Sequence, residues 1–345
     1  MQEAVLESPG RLVLVERDEP PPPSRGEALV AVRRVGICGT DHHAYGGTQN
    51  FFRYPRVLGH ELAVEVLAVG PGVTRVKSGD PCAVLPYISC GSCRACERGR
   101  TNCCAHIDVI GVTRDGGMRE RMLLPAVNLF SDSSLTFDQL VLVETLGIGW
   151  HAVRRAEPRQ DDQVLVLGAG PVGLAVAQAA RGRSESLVIG DASPERVAFA
   201  SESGFDALLV DAEFTTRLLD RRGGTLPSVV FDATGSRASM ENAFELTGPC
   251  GTLVFVGHTT GSVTFQNPGF HARELDVRAS RNATVGDLEH VIAAVRSGSL
   301  DALGWINHRT TLARIVEDLP RLAANPGRVV KTVVDIGQPL PEATT

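Results

Sequence analysis

Four cysteines lie close together in one stretch of the chain, and they offer the clearest chemistry in the sequence. They are Cys90, Cys93, Cys96 and Cys104. Four thiolates at this local spacing can hold one zinc ion in a closed tetrahedral site, which leaves no position open for a substrate. We therefore predict a structural zinc lobe over residues 88–106. Spacing alone also allows Cys103 in place of Cys104.

A second group of candidate metal ligands lies upstream. Cys38 lies in Gly-Ile-Cys-Gly-Thr-Asp-His-His, and His60 and Glu61 follow in Leu-Gly-His-Glu. Glu144, in Val-Glu-Thr-Leu-Gly, is a further candidate. Three protein ligands of these types, with one position left open, are typical of a catalytic zinc site. We predict that this group binds a zinc ion that takes part in chemistry.

A glycine-rich loop lies downstream of both groups, between an apolar strand and a helical run. Its candidate cofactor-binding residues are Gly168, Gly170, Pro171, Val172 and Gly173. Such a loop brings backbone N–H groups at a helix N-terminus close to a pyrophosphate. Asp191 ends the next strand, where it can accept hydrogen bonds from ribose hydroxyls, so we expect NAD. Arg196 is a further candidate contact, and it leaves NADP as the alternative.

Composition excludes several classes of protein. The chain has 345 residues, 43% hydrophobic content and a formal charge of −6, which argue for a globular protein and against nucleic acid or an anionic membrane as partner. No apolar run approaches the roughly 18 residues of a membrane span. The first residues lack a basic region followed by an apolar core, so we expect no signal peptide. We expect a cytoplasmic protein, in which thiols stay reduced and bind metal.

The hydrophobic pattern predicts the elements that position these motifs. Predicted strands cover residues 30–35, 62–70, 164–167, 187–191, 229–231, 253–256, 275–279 and 329–336. Predicted helices cover residues 174–180, 194–203, 237–247, 285–295 and 312–324. The first half is irregular and mostly β. From about Gly147 onward, apolar strands alternate with helices, which indicates a doubly wound parallel sheet.

These motifs resemble those of the zinc-containing medium-chain dehydrogenase/reductase family, over essentially the whole chain. The matching stretches are GICGTDHH, LGHE, CGSCRACERGRTNCC, VETLGIGWHA, VLGAGPVG and VFDATG. The resemblance implies an α/β protein with two domains. A GroES-like, mostly β catalytic domain would comprise residues 1–150 and 285–345, and a Rossmann NAD-binding domain would comprise residues 151–284. The active site would lie in the cleft between them.

The resemblance also implies how the metal ligands divide. Cys38 and His60 would be firm ligands of the catalytic zinc. Glu61 and Glu144 would share the remaining protein positions, and one of them could exchange with water. Cys104 would be the fourth ligand of the structural zinc.

Two further residues of GICGTDHH acquire roles through the resemblance. Thr40 would accept the proton of a zinc-bound substrate hydroxyl through its own hydroxyl. The proton would then pass through the nicotinamide ribose to His43, near solvent. Imidazole suits this task because its ordinary pKa is about 6.5. The hydride would go to the nicotinamide.

The position of Glu144 narrows the branch of the family. Classical alcohol dehydrogenases have a cysteine there, so the chain is closer to the sorbitol, threonine and sugar-acid dehydrogenases. The stretches IDVIGVTRDGGMRERMLLP and ASRNAT resemble bacterial dehydrogenases of hexitols and hexonates, such as L-gulonate or L-galactonate 5-dehydrogenases. We expect oxidation of a secondary hydroxyl of a polyol, sugar or sugar acid, with a hexonate or hexitol as the favoured substrate. A threonine-type or other secondary alcohol dehydrogenase is the alternative. One departure is Glu-Thr-Leu where the branch usually has Glu-Pro-Leu.

Candidate substrate contacts follow the same motif. Tyr45, Phe51, Phe52 and Arg53 lie on a segment expected to wall the cleft. Either Arg53 or Arg281 could bind a substrate carboxylate, although exposed arginines are commonly just solvated.

Other functional classes fit less well. A zinc-free reductase of the same fold would lack the cysteine lobe and the Cys38–His60 pair. A non-enzymatic relative would tolerate loss of Thr40 or His43, and both are present. A zinc-ribbon nucleic-acid binder would need a basic face, which the acidic chain does not favour. The expected partner is a small molecule, with no nucleic acid and no membrane. The branch implies a homotetramer or homodimer, because a Rossmann edge strand such as 275–279 commonly pairs across subunits.

Overall fold

The structure is a computed structural model, and it describes residues 1–49, 52–324 and 329–337. The chain divides into two compact units. Unit 1 contains Met1–Glu144 and the described part of Thr284–Thr345, and unit 2 is Thr145–Ala283. No helix in the described residues has both the length and the apolar character that crossing a membrane requires.

Eighteen strands form within the described ranges. They are β1 Gln2–Ser8, β2 Arg11–Glu16, β3 Glu27–Gly36, β4 Arg56–Val57, β5 Glu61–Val69, β6 Pro81–Val84, β7 Tyr87–Ile88, β8 Asp108–Val109, β9 Arg121–Pro125, β10 Leu129–Ser131, β11 Gln163–Leu167, β12 Ser186–Asp191, β13 Asp206–Leu209, β14 Val229–Asp232, β15 Thr252–Phe255, β16 Asp276–Ala279, β17 Ile306–Thr311 and β18 Lys331–Asp335.

Ten α-helices form in the same part of the chain. They are α1 Gly39–Tyr45, α2 Arg94–Glu97, α3 Phe137–Ala156, α4 Pro171–Ala180, α5 Pro194–Glu202, α6 Phe214–Asp220, α7 Arg237–Ala243, α8 Asn267–Ala272, α9 Val285–Arg296 and α10 Ile315–Ala324. Short 3₁₀ turns cover Thr101–Cys103, Ala126–Asn128 and Leu303–Trp305.

Unit 1 is built on a mixed sheet with strand order β10-β6-β5-β3-β18-β17, and β9 also pairs with β3. Only β17 and β18 run parallel among these pairs. The valine-rich strands β3 and β5 bury Val30, Val32 and Val64 in the core, as β-branched residues on a half-buried sheet do. β18 lies beside β3, with Val333 opposite Gly36. The late part of the chain therefore completes the sheet that the first part begins.

Unit 2 contains one parallel sheet in the order β13-β12-β11-β14-β15-β16. β14 is buried throughout and β11 nearly so, which explains why both read as short, wholly apolar runs. The strand order reverses on either side of β11. In such sheets ligands bind beyond the carboxyl ends of the strands at this switch point. The α/β fold class predicted from the sequence is confirmed.

One predicted helix is wrong at its end. The sequence predicts a helix over residues 237–247, whereas α7 ends at Ala243. The hydroxyl of Thr247 donates to the carbonyl of Ala243 at 2.8 Å. This carbonyl is thus satisfied by a side chain, which offers the backbone an alternative to a further helical turn.

Helix α3 was not predicted, because its glycines weaken the helical pattern. Gly149 has a packing reason to be there. A Cβ on Gly149 would lie 2.3 Å from the backbone carbon of Ala175 in α4. Close helix–helix approach therefore outweighs the poor helix propensity of glycine.

Candidate active site

Three candidate metal ligands meet where β3 ends and β5 begins. Gly36 pairs with Glu61 in these strands, Cys38 caps the start of α1, and His60 directly precedes β5. The donor atoms of Cys38, His60 and Glu61 all lie within 4.8 Å of one another. Nδ1 of His60 is buried and has no hydrogen-bond partner among the described residues. A thiolate, an imidazole and a carboxylate in this volume fit one zinc ion.

Asp41 fixes the backbone around these ligands. Its carboxylate accepts the N–H of Cys38 at 2.9 Å and the N–H of Gly59 at 3.3 Å. Asp41 is buried, and desolvation raises the pKa of its carboxyl above the ordinary value. The side chain thereby joins the start of α1 to the residue that precedes His60.

Glu61 forms a buried ion pair with Lys331, the first residue of β18. The ammonium donates to Oε1 at 2.7 Å and to Oε2 at 2.6 Å, and both side chains are only 1% exposed. Burial is the largest single influence and opposes the lysine charge, but the attraction of Glu61, Cys38 and Glu144 together outweighs it and raises the pKa of Lys331. Gly36 makes room for the pair, because a Cβ there would lie 2.0 Å from Oε2 of Glu61.

Glu144 is held differently from Glu61. It lies on α3, is 4% exposed, and accepts a short hydrogen bond from the phenol of Tyr87, which is also buried. Burial is the main cause that raises the pKa of Glu144 and that of Tyr87. Tyr87 therefore keeps its proton and donates the hydrogen bond to the carboxylate. Glu144 is not part of the set whose donor atoms lie within 4.8 Å.

Thr40 and His43 lie on α1 beside this centre. Oγ1 of Thr40 is 3.9 Å from Sγ of Cys38. His43 is exposed, and its Nδ1 lies 2.9 Å from Oγ1 of Thr48. One partly buried hydroxyl next to the candidate ligands and one imidazole open to water thus lie on the same short helix.

The predicted substrate contacts differ in exposure and in the groups that they contact. Phe52 is buried and packs on Tyr54, with 5.1 Å between ring centroids. Tyr45 donates its phenol to the carbonyl of Gly10 at 3.1 Å. Arg53 is exposed, as is Arg281 in unit 2. Phe51 lies outside the described residues.

The cysteine lobe has the geometry of a tetrahedral sulfur site. The Sγ atoms of Cys90, Cys93, Cys96 and Cys104 lie within 4.8 Å of one another. Neighbouring sulfur atoms are 3.5, 3.6 and 3.9 Å apart. A tetrahedron with zinc–sulfur bonds of about 2.3 Å has sulfur–sulfur edges of about 3.8 Å. The four residues therefore fit a closed zinc site, and exposed Cys103 is outside the set.

Backbone groups favour thiolates in this lobe. The N–H groups of Cys90 and His106 each point at Sγ of Cys104, both at 3.3 Å. Hydrogen bonds from the backbone of Ser92 and from Cys104 lower the pKa of Cys90 to about 6. A lowered thiol pKa favours the charged form that binds metal. Cys96 differs, because desolvation and its hydrogen bond with Cys93 raise the pKa of its thiol to about 11.

The glycine-rich loop lies at the carboxyl end of β11 in unit 2. Gly168 has φ +99°, and Gly170 caps α4, with Pro171 at its first turn. A Cβ on Gly173 would lie 1.7 Å from the carbonyl oxygen of Gly168. Both glycines are therefore required by the turn and by helix–strand packing. Val172 follows Pro171 in the first turn, where N–H groups of a helix are free to bind a phosphate.

Asp191, at the end of β12, lies under this loop. Its two carboxylate oxygens accept the N–H of Ala169 at 2.7 Å and the N–H of Ser193 at 2.8 Å. Nη1 of Arg196 is 3.9 Å from Oδ2. Each carboxylate oxygen keeps a second acceptor site, so Asp191 can organise the loop and still accept ribose hydroxyls.

Comparisons with known proteins agree with this architecture. Residues 24–133 match the alcohol dehydrogenase GroES-like domain, and residues 171–297 match the zinc-binding dehydrogenase model. The chain is 39% identical over 337 residues to L-galactonate-5-dehydrogenase of Escherichia coli K12, covering 97% of this chain and 98% of that protein.

Solved structures show the same likeness. RspB from Escherichia coli CFT073, solved with NADH, superimposes with a TM-score of 0.90 at 29% identity, covering 97% of this chain and 99% of that one. Galactitol-1-phosphate dehydrogenase from Escherichia coli gives 0.89 at 25% identity, covering 97% and 100%. The chain belongs to the zinc-containing medium-chain dehydrogenase/reductase family, as the sequence motifs predict.

Sequence reasoning missed two residues of the site. Tyr87 and Lys331 contact the two candidate carboxylates, yet neither lies in a recognised motif. The composition contained a weak signal for Lys331. Lysine is rare in this chain, because only Lys331 and Lys77 among its 34 basic residues are lysines. Tyr87 gave no signal, because its partner is 57 residues away in the sequence.

Removing the Lys331 charge should destabilise the protein. Lys331→Met leaves Glu61 buried without its ammonium, and breaking one side of a buried pair costs about 3–5 kcal/mol. Urea unfolding of the metal-loaded protein measures the change. Lys77→Met, at the exposed second lysine, is the matched control and should shift the free energy of unfolding by less than about 0.5 kcal/mol. Equal stability of the two variants would contradict the role of the pair.

Proposed function

We propose that this protein is a zinc- and NAD-dependent dehydrogenase that oxidises a secondary hydroxyl of a polyol, sugar or sugar acid to a ketone, with a hexonate or hexitol as the favoured substrate. The observation that carries the proposal is the meeting of Cys38, His60 and Glu61 in a chain that also has a complete dinucleotide loop. The relatives named above act, by their names, on a sugar acid and on a sugar-alcohol phosphate. Unit 1 is proposed as the catalytic domain and unit 2 as the NAD-binding domain.

Cys38 and His60 would hold the catalytic zinc, with a carboxylate of Glu61 or Glu144 completing the protein ligands. When bound, zinc acts as a Lewis acid that lowers the pKa of a substrate hydroxyl. Cys90, Cys93, Cys96 and Cys104 would hold the structural zinc. Their closed geometry leaves no position for a substrate.

Thr40 and His43 supply the proton path in this proposal. Oγ1 of Thr40 lies beside the candidate ligands, where it can accept the proton of the substrate hydroxyl. His43 is exposed and releases the proton to water. Thr48 orients the imidazole through its contact with Nδ1, so the other ring nitrogen is available for proton transfer.

The glycine loop would bind the cofactor pyrophosphate through the free N–H groups of α4. Asp191 would accept the ribose hydroxyls and repel a 2′-phosphate, which favours NAD. Arg196, close to both Asp191 and Gly170, is proposed as a cation beside the pyrophosphate or ribose. Bound NAD accepts the hydride.

A substrate panel tests the proposal directly. Purified protein is assayed with hexonates, hexitols, simple secondary alcohols and L-threonine, each with NAD or NADP, by absorbance of the reduced nicotinamide. We expect the highest kcat/KM with a hexonate or hexitol and NAD, and loss of activity in Cys38→Ser, which removes one ligand. Full activity in a preparation shown to be metal-free, or no turnover of any member of the panel, would refute the proposal.

His43 should be replaceable by a small molecule, because its side chain is open to solvent. We expect His43→Ala to lower kcat by about 10²-fold and imidazole in the buffer to restore part of it. His271→Ala, at an exposed histidine of unit 2, should neither slow turnover nor respond to imidazole. A slow His43→Ala enzyme that imidazole leaves unchanged would remove this residue from the proton path.

Asp191 should set the cofactor preference. In Asp191→Ala the ribose hydroxyls lose their acceptor, so KM for NAD should rise by about 10-fold or more. KM for NADP should rise by less than KM for NAD, because loss of the contacts to the loop weakens both cofactors while the repulsion of the 2′-phosphate is gone. The ratio of kcat/KM values for NAD and NADP within each protein is the measurement, with exposed Asp161→Ala as control. An unchanged ratio would contradict the assignment.

A homodimer or homotetramer in the cytoplasm is the proposed state. β16 is the last strand of the parallel sheet, and Asp276, Val277 and Ala279 on it are exposed. An open edge with an exposed valine is a suitable surface for pairing with a second copy. The eight cysteines are all unpaired thiols, which suits a reducing compartment.

A further inference from the structure

The cysteine lobe is attached to unit 1 through a two-stranded stalk. β7 pairs antiparallel with β8, with Tyr87 opposite Val109 and Ile88 opposite Asp108. Cys90 follows two residues after β7, and β8 begins four residues after Cys104. The four sulfur atoms therefore close a loop whose two ends are this stalk, so anything that orders the lobe also fixes the separation of β7 and β8.

The base of the stalk is anchored to the body of unit 1. Nδ2 of the buried Asn128 donates to the carbonyl of Leu85 at 2.8 Å and to the carbonyl of Tyr87 at 3.2 Å. The N–H of Ile110 donates to the carbonyl of Pro86 at 3.0 Å. The backbone of Tyr87 is thus held between the lobe on one side and the core on the other.

The side chain of Tyr87 contacts Glu144, a candidate ligand of the catalytic zinc. Its phenol donates to Oε1 of Glu144. The charges of Cys38 and Glu61 also act on this phenol, after burial and Glu144 itself, to raise the pKa of Tyr87. Tyr87 is therefore the side chain that joins the stalk of one candidate metal site to a candidate ligand of the other.

A hydrogen bond of this kind has a known effect on a ligating carboxylate. Groups that hydrogen-bond to metal ligands fix their orientation and set their basicity. A phenol on Oε1 fixes the rotation of the Glu144 carboxylate. Tyr87 needs no change of charge to act in this way, because it stays protonated and neutral.

We propose that Tyr87 is a positioning residue that couples the four-cysteine lobe to the catalytic zinc site. A filled lobe fixes the stalk, the stalk fixes Tyr87, and Tyr87 fixes the carboxylate of Glu144 in the orientation that binds metal best. The structural zinc then raises the affinity of the catalytic site for its zinc ion, although the four cysteines of the lobe do not contact that ion. This inference rests on the proposed function, since it needs zinc at Cys38 and His60.

The test is a set of zinc affinities at the catalytic site. The holoenzyme is first stripped of its catalytic zinc by mild chelation, and total zinc per subunit by mass spectrometry shows that the lobe keeps its ion. Zinc is then titrated back against a colorimetric chelator. The proteins compared are wild type, Tyr87→Phe, Glu144→Gln, Cys96→Ser and the doubles Tyr87→Phe/Glu144→Gln and Tyr87→Phe/Cys96→Ser. Unfolding temperatures are recorded in parallel.

Tyr87→Phe should weaken zinc binding by about 10–100-fold with the lobe still filled. The effect should vanish in the Glu144→Gln background, because an amide in place of the carboxylate is a poor zinc ligand and its orientation no longer affects the affinity. Cys96→Ser, which empties the lobe, should also lower the affinity of the catalytic site for zinc. The affinity of the Tyr87→Phe/Cys96→Ser double variant should equal, within about twofold, that of whichever single variant binds zinc less tightly. Tyr54→Phe removes a phenol that bonds the carbonyl of Ala44 and is the matched control, expected to match wild type.

Other results overturn the coupling. If Tyr87→Phe binds the catalytic zinc as wild type does, Tyr87 does not position Glu144. If the effects of Tyr87→Phe and Cys96→Ser multiply, lobe and tyrosine act independently. Should Cys96→Ser not fold, Cys96→His takes its place, because a Cys₃His set still binds zinc, and total zinc per subunit after chelation shows whether its lobe has lost the ion. If the ion stays, the comparison of Tyr87→Phe with wild type, both with a filled lobe, decides the proposal. A wild-type protein that binds no zinc at Cys38 and His60 refutes the proposed function itself, which separates the two failures.

Discussion

The structure depends on how three buried carboxylates are balanced around one small volume. Asp41, Glu61 and Glu144 are 1%, 1% and 4% exposed, and a buried carboxylate without a partner is strongly unfavourable. The carboxylate of Asp41 accepts hydrogen bonds from backbone N–H groups, that of Glu144 from a phenol, and that of Glu61 from an ammonium. Of these three partners only the last brings a full positive charge. The sulfur of Cys38 and the imidazole of His60 complete a set of donors that suits a divalent cation.

The features that sequence analysis predicted are local ones. The sulfur lobe follows from cysteines that lie within fifteen positions of one another, from Cys90 to Cys104, and the glycine loop follows from one strand–turn–helix. At both places the chemistry is dictated by backbone geometry over a short stretch, such as the 1.7 Å clearance that excludes any side chain at Gly173. The parallel sheet of unit 2 was predictable for a similar reason, because the alternation of apolar strands with helices is a local pattern in the sequence.

What sequence analysis could not predict are the partners brought by topology. Lys331 reaches Glu61 across 270 positions because β18 inserts beside β3. Tyr87 reaches Glu144 across 57 positions because its side chain, on the two-residue strand β7, contacts a residue of α3. The helix α3 was not predicted because it contains two glycines, of which Gly149 allows the close approach of α4. Each of these depends on which elements become neighbours, and neither residue spacing nor hydrophobic period carries that information.

The return of the chain has a chemical consequence as well as a structural one. β18 closes the sheet of unit 1, and its first residue supplies the ammonium that Glu61 needs. Residues up to Glu144 contain every candidate ligand of the catalytic metal, yet without β18 they would bury Glu61 next to Cys38 with no opposing ammonium. The pairing of β18 with β3 therefore also brings the ammonium of Lys331 to the carboxylate of Glu61 at the metal centre. β18 thus forms backbone hydrogen bonds with β3 and also offsets the cost of burying the Glu61 carboxylate among the candidate ligands.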